Sequence, residues 1–526
     1  MTYLIVFVCG ILTAAPYVFG ELFFLPWFTV APLIVIAVKK RAAYRHGFVF
    51  SLGYYGVVYY WFTYLYPLDF AGFSNTASVL IIITAWVGMS VMQSIGTAFV
   101  PFILRRLRGS WCFLVLPFAA ASLWCVMEWA QNLFWFGVPW ARLALTQSFS
   151  LPMLQSASLF GSLFIGFLIV LVNGFLAEAY LRFLDSGEKP LISRIHVSAY
   201  IALGIVILNF GFGLIRMLAV PDNDGETFVA AAIQGNIPSG DKWADDSLSN
   251  SMKIYTGLTE DAVAESRAKL VVWPETALTV SLNRNSSVKK QIGELAKKTG
   301  AYIAVGAFYD GIDIFDPENT ENISCNSIYL FSPGGEMSET VYHKRHLVPF
   351  GEYLPMPKVI KTVLPFLAEV NMLSDDLTAG KSSALFGTEL GKIGSLVCFD
   401  SIYEELTRAS VNDGAEIMVL VTNDSWYLDS AACRQHKSHA VLRAIESGRC
   451  FVRAANTGIS SIIDRSGKIK ASLPPLVTGY TYGEVTTNSD ATLYSKVGDL
   501  IVWLSMAYIA ILSAVKIVAA VRNCKN

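Results

Sequence analysis

The sequence predicts a membrane-embedded α-helical bundle joined to an α/β domain, and three observations carry that prediction. Hydrophobic residues fill 54% of the 526 positions and charged residues only 15%, well outside the composition of soluble proteins. Seven apolar stretches are long enough to cross a bilayer, which takes about 20 helical residues, near 3–19, 22–38, 47–66, 78–104, 111–131, 153–181 and 197–219, with an eighth near 498–521. Between the seventh and the eighth, from about Thr227, short apolar strands alternate with helical stretches.

The first stretch has no Lys or Arg in Met1–Tyr3 and no clean cleavage site before the next apolar run, so it reads as a retained helix. Charge in the connections then sets the orientation. Lys39, Lys40, Arg41 and Arg45 follow the second span, Arg105, Arg106 and Arg108 the fourth, and Arg182, Lys189 and Arg194 the sixth. The alternate connections carry almost none: 67–77 has no Lys or Arg and 132–152 only Arg142. By the positive-inside rule the basic connections are cytoplasmic. Seven spans from a cytoplasmic N-terminus would place 220–497 outside, and the eighth would return Arg522 and Lys525 to the cytoplasm. The expected domains are a seven-helix membrane domain at 1–219, an external α/β domain at 220–497, and a final span with a short tail at 498–526.

The net charge of −1 and isoelectric point of about 6.6 offer nothing to a nucleic-acid backbone, which calls for a basic surface. The eight cysteines form no CxxC pair and no Cys/His cluster at zinc-ligand spacing, so neither a metal site, a cofactor nor a disulfide framework is expected. A transporter would carry ionisable residues within several spans. Here the spans are apolar inside, with Glu128 and Glu178 near helix ends. Phe134, Trp135, Phe136 and Trp140 crowd the outer connection and read as interface anchors or as the lining of a lipid path.

In the α/β domain, strands are expected at Phe228–Ile233, Leu270–Trp273, Tyr302–Phe308, Ser327–Phe331, Ile393–Val397, Ile417–Val421, Phe451–Ala454 and Ser460–Ile463, and helices near 246–268, 287–299, 402–412 and 432–447. That pattern fits one large sheet system covered by helices. Leu354–Leu373 is too proline-broken and short to span; it reads either as an apolar flap over a site or membrane surface, or as a buried connection.

Three polar residues stand where chemistry would need them. Glu275 follows the strand KLVVWPE, where Pro274 ends sheet pairing. Lys344 lies in VYHKRHLVPFGEYLP, and Cys398 lies where the strand GKIGSLV meets a helical stretch. A thiol at a helix N-terminus is expected to favour thiolate, although a buried structural cysteine is the alternative. A thiol nucleophile needs a base, and its tetrahedral intermediate needs a cation or N–H donors. Glu, Lys and Cys supply these. His343 and His346 raise a Cys–His pair as a rival arrangement.

Around these residues, WPET at Glu275, HKRHLVPFGEYLP at Lys344 and TNDSW at Thr422–Trp426 resemble the nitrilase superfamily, whose members use a Glu–Lys–Cys triad on an αββα sandwich. The preceding spans, GVPWARLALTQ at 137–147, IQGNIP with Lys242–Trp243, and QHKSHAVLRAIESGRCFVRAANTGIS are similar to one branch, the bacterial apolipoprotein N-acyltransferases. That resemblance implies a ping-pong acyl transfer. Cys398, deprotonated by Glu275, would take an acyl chain from a phospholipid, phosphatidylethanolamine in most members, and pass it to the α-amine of a diacylglyceryl-cysteine on an apolipoprotein. Lys344 would stabilise the oxyanions, Glu352 would orient Lys344, and Trp243 and Trp426 would border the lipid cleft. It implies a bacterial inner membrane, with the catalytic domain on the periplasmic face.

This chain departs from the branch at two places. Phe399 and Asp400 replace the usual Tyr and Glu after the nucleophile, which is expected to alter how the donor head group is held, and Tyr427–Leu428 replaces Phe-Gly after TNDSW. A membrane-tethered amidase of the nitrilase type is the alternative function, and a transporter or a lipid-binding module with a degenerate site is the non-enzymatic one.

Overall fold

The computed structural model describes residues 1–68, 72–107, 113–133, 137–186, 196–219, 225–244, 246–312, 322–363 and 376–525. Phe134, Trp135, Phe136, the Trp243 side chain and most of the expected flap lie outside the described residues. The chain divides into two compact units, one of Met1–Thr63, Val79–Val220 and Val497–Asn526, the other of Tyr64–Ser78 and Pro221–Lys496.

Among the described residues, four helices, lying wholly or mostly in the first unit, are long and apolar enough to cross a membrane: Asn75–Leu107, Ser162–Asp185, Val197–Ala219 and Leu500–Arg522. Thr2–Tyr17, Pro26–Lys39 and Val115–Ala130 are apolar but shorter. Prolines shorten several expected spans. Pro32 stands at the start of Ala31–Lys39, which leaves only Pro26–Thr29 as helix before it. The expected 153–181 span likewise begins as two four-residue helices before Ser162. Ser162–Asp185 is the bundle's inner helix, whereas Val197–Ala219 turns Leu208, Ile215 and Leu218 outward. An apolar outer face of that kind is stable against lipid, not water.

Polar groups inside this unit anchor its irregular backbone. Asn173 Oδ1 accepts from the N–H groups of Val30 and Ala31 at 2.9 and 2.7 Å, capping the helix that Pro32 starts. The segment GVPWARLALTQ, expected as an outer loop, is instead buried from Val138 to Gln147. Arg142 has no exposed surface; its guanidinium donates to the Glu128 carbonyl and to Asn132 Oδ1, while Glu128 Oε1 accepts from Leu143 N at 2.7 Å. Backbone outside a continuous α-helix survives in an apolar bundle only with such partners. Arg142, Glu128 and Gln147, which joins Trp27 Nε1 (2.9 Å) to the Phe23 carbonyl (2.8 Å), provide them.

The second unit is a two-sheet sandwich. In chain order its strands are β1 Thr227–Gln234, β2 Leu270–Val272, β3 Leu278–Ser281, β4 Tyr302–Ile312, β5 Asn322–Phe331, β6 Tyr342–His343, β7 Phe386–Thr388, β8 Gly391–Val397, β9 Ile417–Thr422, β10 Phe451–Ala455, β11 Ser461–Ile463, β12 Ile469–Ser472 and β13 Gly479–Thr486. One sheet runs β13-β1-β2-β4-β5-β6, with β3 beside β4; the other runs β12-β11-β10-β9-β8-β7. Each has a parallel centre, β1-β2-β4 and β8-β9-β10, flanked by antiparallel strands. This corrects the expectation of one sheet system drawn from the residues alone and agrees with the αββα arrangement that the resemblance implied.

Strand alternation explains the layering. Ala230 and Ala232 of β1, with Val272 and Ala304, meet Ile393, Val419, Val421, Val452 and Ile462 of the other sheet in one dry core. Ala231 and Ile233 point the other way, onto Met252, Tyr255, Val288 and Ile292 of helices Ser247–Ser266 and Ser286–Thr299. Helices Glu404–Asn412 and Ala431–Ser447 cover the second sheet.

Candidate active site

The ends of the parallel strands β2 and β8, the usual location for a site in an open sheet, and of the antiparallel β6 bring the three expected residues into one electrostatic cluster. β2 stops at Val272, and Trp273 N makes a last bond to the Ala304 carbonyl at 2.8 Å before Pro274. Glu275 then turns inward, helped by Thr276 at φ +44°. β4 passes directly beneath this turn because residue 306 is glycine: a Cβ there would lie 2.2 Å from the Pro274 carbonyl.

Glu275 is buried, and every oxygen of its carboxylate has a partner. Oε1 accepts from Lys344 Nζ at 3.1 Å and Asn326 Nδ2 at 2.7 Å; Oε2 accepts from Asn423 N at 2.7 Å. Lys344, only 1% exposed, also donates to Glu352 Oε1 at 2.9 Å, and Glu352 Oε2 accepts from Val348 N at 2.8 Å. One ammonium thus sits between two carboxylates. Burial works to lower its pKa, but Glu275, Glu352 and Cys398 outweigh burial and hold it well above the ordinary lysine value.

Cys398 ends β8 and opens a 3-10 turn, Cys398–Ile402, with its own φ at +51°. A non-glycine residue in that region costs roughly 1–3 kcal/mol and marks a backbone held by its surroundings. The α-helix begins only at Glu404. The expectation that a helix N-terminus favours thiolate is therefore corrected: burial first, then the Glu275 and Asp424 charges, push the thiol well above its ordinary value, and Lys344 and a Thr422 hydrogen bond only partly oppose them. In the resting site the sulfur holds its proton, so a base is required.

Asp400 is buried within the same cluster. It has no exposed surface, and its carboxylate accepts from Val397 N (3.0 Å), Tyr342 Oη (2.9 Å), Arg345 N (3.1 Å) and His346 N (2.8 Å). These donors flank Cys398 on one side and Lys344 on the other. Asp400 therefore ties the nucleophile's strand to the lysine's loop. Phe399 is buried edge-on to Tyr403, whose ring stacks on His346 at 3.8 Å. His346 and His343, which bonds Ser327 Oγ at 2.7 Å, are both engaged away from the thiol, so a Cys–His pair is not formed by either. Trp426 is half-buried in the turn Ser425–Tyr427.

Sequence reasoning missed Asn326, Asn423 and Lys242 as site residues. Asn326 Nδ2 bridges Glu275 and Glu352 (3.1 Å to Oε1), and its carbonyl accepts from Lys344 N at 2.8 Å; an asparagine amid the apolar residues of β5 was the available signal. Lys242 Nζ donates to the carbonyls of Glu275 (3.3 Å) and Thr276 (3.1 Å). Burial lowers its ammonium to about 7 against the opposing Glu275 charge. Cys398, Asp424 and His436 place ligand-type atoms within 4.8 Å of one another, but Arg453 Nη2 donates to Asp424 at 2.8 Å, and that guanidinium disfavours a metal cation. Cys325, Cys433 and Cys450 are free thiols.

Leu428, which stands where the similar branch has glycine, adopts φ +46° and ψ −144°. Replacing it by glycine is expected to stabilise the protein by about 1 kcal/mol, since the strain relieved, roughly 1–3 kcal/mol, exceeds the flexibility introduced in the unfolded chain, roughly 0.5–1 kcal/mol. The side chain is largely exposed, so little packing is lost. A thermal midpoint for Leu428→Gly equal to or below the parent would refute this.

Two sequence families match the chain in order: the apolipoprotein N-acyltransferase N-terminal domain over residues 9–175, and the carbon-nitrogen hydrolase family over residues 229–492. The apolipoprotein N-acyltransferase of Geobacter metallireducens is 32% identical over 97% of this chain and 94% of its own length. That of Haemophilus ducreyi is 26% identical over 95% and 93%. The crystal structure of Saccharomyces cerevisiae Nit3, described as a member of branch 10 of the nitrilase superfamily, overlaps 50% of this chain and 90% of its own at 20% identity and a TM-score of 0.38. With a relative this similar along nearly its whole length and both domains matched in sequence order, the chain belongs to the apolipoprotein N-acyltransferase family.

Proposed function

We propose that this protein transfers an acyl chain from a phospholipid, such as phosphatidylethanolamine, to the α-amine of an N-terminal diacylglyceryl-cysteine of apolipoproteins. The single observation that carries the reading is the buried Lys344, paired with Glu275 at 3.1 Å and with Glu352 at 2.9 Å. In the first half-reaction the Glu275 carboxylate accepts the Cys398 proton as sulfur attacks the ester carbonyl carbon. The oxyanion meets Lys344 Nζ and backbone N–H groups beside Cys398. The C–O bond then breaks, Glu275 returns its proton to the leaving oxygen, and a lysophospholipid departs. In the second half-reaction the acceptor amine attacks the thioester and loses a proton to Glu275. The C–S bond breaks, and the sulfur is reprotonated. No metal or cofactor enters.

The membrane setting is part of the same proposal. Eight spans with a cytoplasmic N-terminus would place 220–497 on the periplasmic face of the inner membrane, between a seven-span domain at 1–219 and a last span from 498. Apolar helices on both sides of the α/β domain in the sequence and the basic connections support it. Trp243, Trp426 and the segment 354–373 would border the lipid cleft and keep water from the thioester.

Intact mass spectrometry of the protein incubated with phosphatidylethanolamine tests the reading. An added acyl mass is expected on the parent and not on Cys398→Ala, labile to hydroxylamine and discharged onto a diacylated lipopeptide. Lysophospholipid and free fatty acid accumulating with no acylated lipopeptide would instead establish a hydrolase.

A further inference from the structure

Beneath the Cys398 elbow lies a second buried network that the acyl-transfer chemistry does not use. Ser401, Asp424, His436 and Arg453 have no exposed surface. Arg453 Nη2 donates to Asp424 Oδ2 at 2.8 Å and lies 3.2 Å from His436 Nδ1. Asp424 Oδ1 accepts from Thr422 Oγ1 at 2.7 Å and lies 2.8 Å from His436 Nδ1. At the far side of the ring, His436 Nε2 is 3.2 Å from the Cys398 carbonyl and 3.1 Å from Ser401 Oγ, which itself donates to that carbonyl at 2.7 Å.

A carbonyl and a carboxylate can only accept, so a hydrogen bond to the Cys398 carbonyl comes from Nε2–H of the ring and one to Asp424 Oδ1 comes from Nδ1–H. Asp424 and Arg453 on the Nδ1 side fix the plane of the ring. The space around Asp424 is equally specified, because a Cβ at Gly458 would come within 2.1 Å of Asp424 Oδ2. The backbone group at the near end of this arrangement is the carbonyl of a residue held at φ +51°, a conformation that needs restraint from outside the residue.

We propose that His436 is a positioning residue for the acyl-transfer reaction. Held by Asp424 and Arg453, it locks the Cys398 peptide through the Cys398 carbonyl and so aims the thiol at the Glu275–Lys344 pair. Ser401 is the second tie on the same carbonyl. This rests on Cys398 being the acylated nucleophile. Its consequence is geometric: releasing the tie leaves the base, the ammonium and lipid binding untouched while the sulfur samples unproductive orientations. Misplacement by about 1 Å commonly costs on the order of 10²-fold in rate.

The test compares the full-length parent with His436→Ala, His436→Gln and Ser401→Ala. Measured quantities are the single-turnover rate of acyl-thioester formation, the donor KM, the rate of Cys398 alkylation by iodoacetamide and the thermal midpoint. His436→Ala is expected to slow thioester formation by about 10–100-fold with the donor KM within about twofold. His436→Gln keeps an N–H donor near the Nε2 position and is expected to recover most of that loss. Ser401→Ala, which leaves the ion network intact, is expected to lose about threefold to tenfold.

Four outcomes would overturn the proposal: His436→Ala acylating at the parental rate, a loss confined to KM, Ala and Gln variants equally slow with equal drops in thermal midpoint, or, if neither His436 variant folds, Ser401→Ala acylating at the parental rate. A parent that forms no thioester, with alkylation still slowed in His436→Ala and restored in His436→Gln, would sink the acyl-transfer reading and leave the positioning role standing.

Discussion

Lys344→Met is expected to slow acyl-thioester formation by about 10²–10³-fold, the usual consequence of removing one oxyanion donor, and to destabilise the fold at the same time. The two effects share one cause. Lys344 is the ammonium between Glu275 Oε1 at 3.1 Å and Glu352 Oε1 at 2.9 Å. Methionine fills similar volume but leaves two carboxylates facing each other beside Asn326 Nδ2, which bonds both. Breaking a buried pair on one side typically costs about 3–5 kcal/mol, because the remaining charge is uncompensated. For a domain of this size that corresponds to a thermal midpoint lower by about 10 °C. Lys344→Met should also raise the Cys398 pKa further, since Lys344 is the main charge that opposes its rise. Alkylation by iodoacetamide at fixed pH should therefore be slower than in the parent. A Lys344→Met protein with parental thermal stability and parental alkylation would show that this ammonium is not coupled to the carboxylates or the thiol.

How much of this was legible in the sequence follows from where the information is stored. Glu275, Lys344 and Cys398 could be read because each stands at the end of an apolar run or beside a proline, so local pattern marks them. The buried parallel strands were legible for the same reason: β8, β9 and β10 are near-continuous apolar runs. Strands β3, β6, β7, β12 and β13 escaped. They have two to eight residues and lie toward the edges, and β13 is held by β1, with Thr227 opposite Thr486, a pairing without local signature.

The supporting residues were legible only as names. The resemblance marks Asp400 as a supporting residue, and only the assembled fold shows that its four donors come from Val397, Tyr342, Arg345 and His346. Asn326 lies in β5, Arg453 in β10, His436 in the helix Ala431–Ser447 and Asp424 in the loop just after β9. Their roles exist only once β5, β9, β10 and the helix Ala431–Ser447 are assembled. The burial of Arg142 was hidden in the same way: a lone arginine in a short connection reads as a surface charge until its Glu128 and Asn132 partners are known.

Glu275→Gln separates base catalysis from charge and moves two observables in opposite directions. Transfer activity should fall by about 10²–10⁴-fold, the range for loss of a positioned general base, because the thiol proton then loses the Glu275 carboxylate as its acceptor. The thiol itself should titrate lower. Burial is the first cause of its raised pKa, and the Glu275 charge is the largest electrostatic one; glutamine removes that charge while Lys344 keeps Glu352 as a partner. Iodoacetamide, which needs only thiolate, should accordingly react faster at a fixed pH near 8 than with the parent, and its pH midpoint should shift downward. The structural cost is bounded. Oε1 can keep accepting from Lys344 and Asn326, while the amide NH₂ would face the Asn423 N–H at the position of Oε2, a lost bond worth about 1–3 kcal/mol. If alkylation slows together with transfer, the carboxylate is holding the site's shape and another group takes the proton. If alkylation speeds up while transfer collapses, Glu275 is the base and its charge is what keeps Cys398 protonated until an ester arrives.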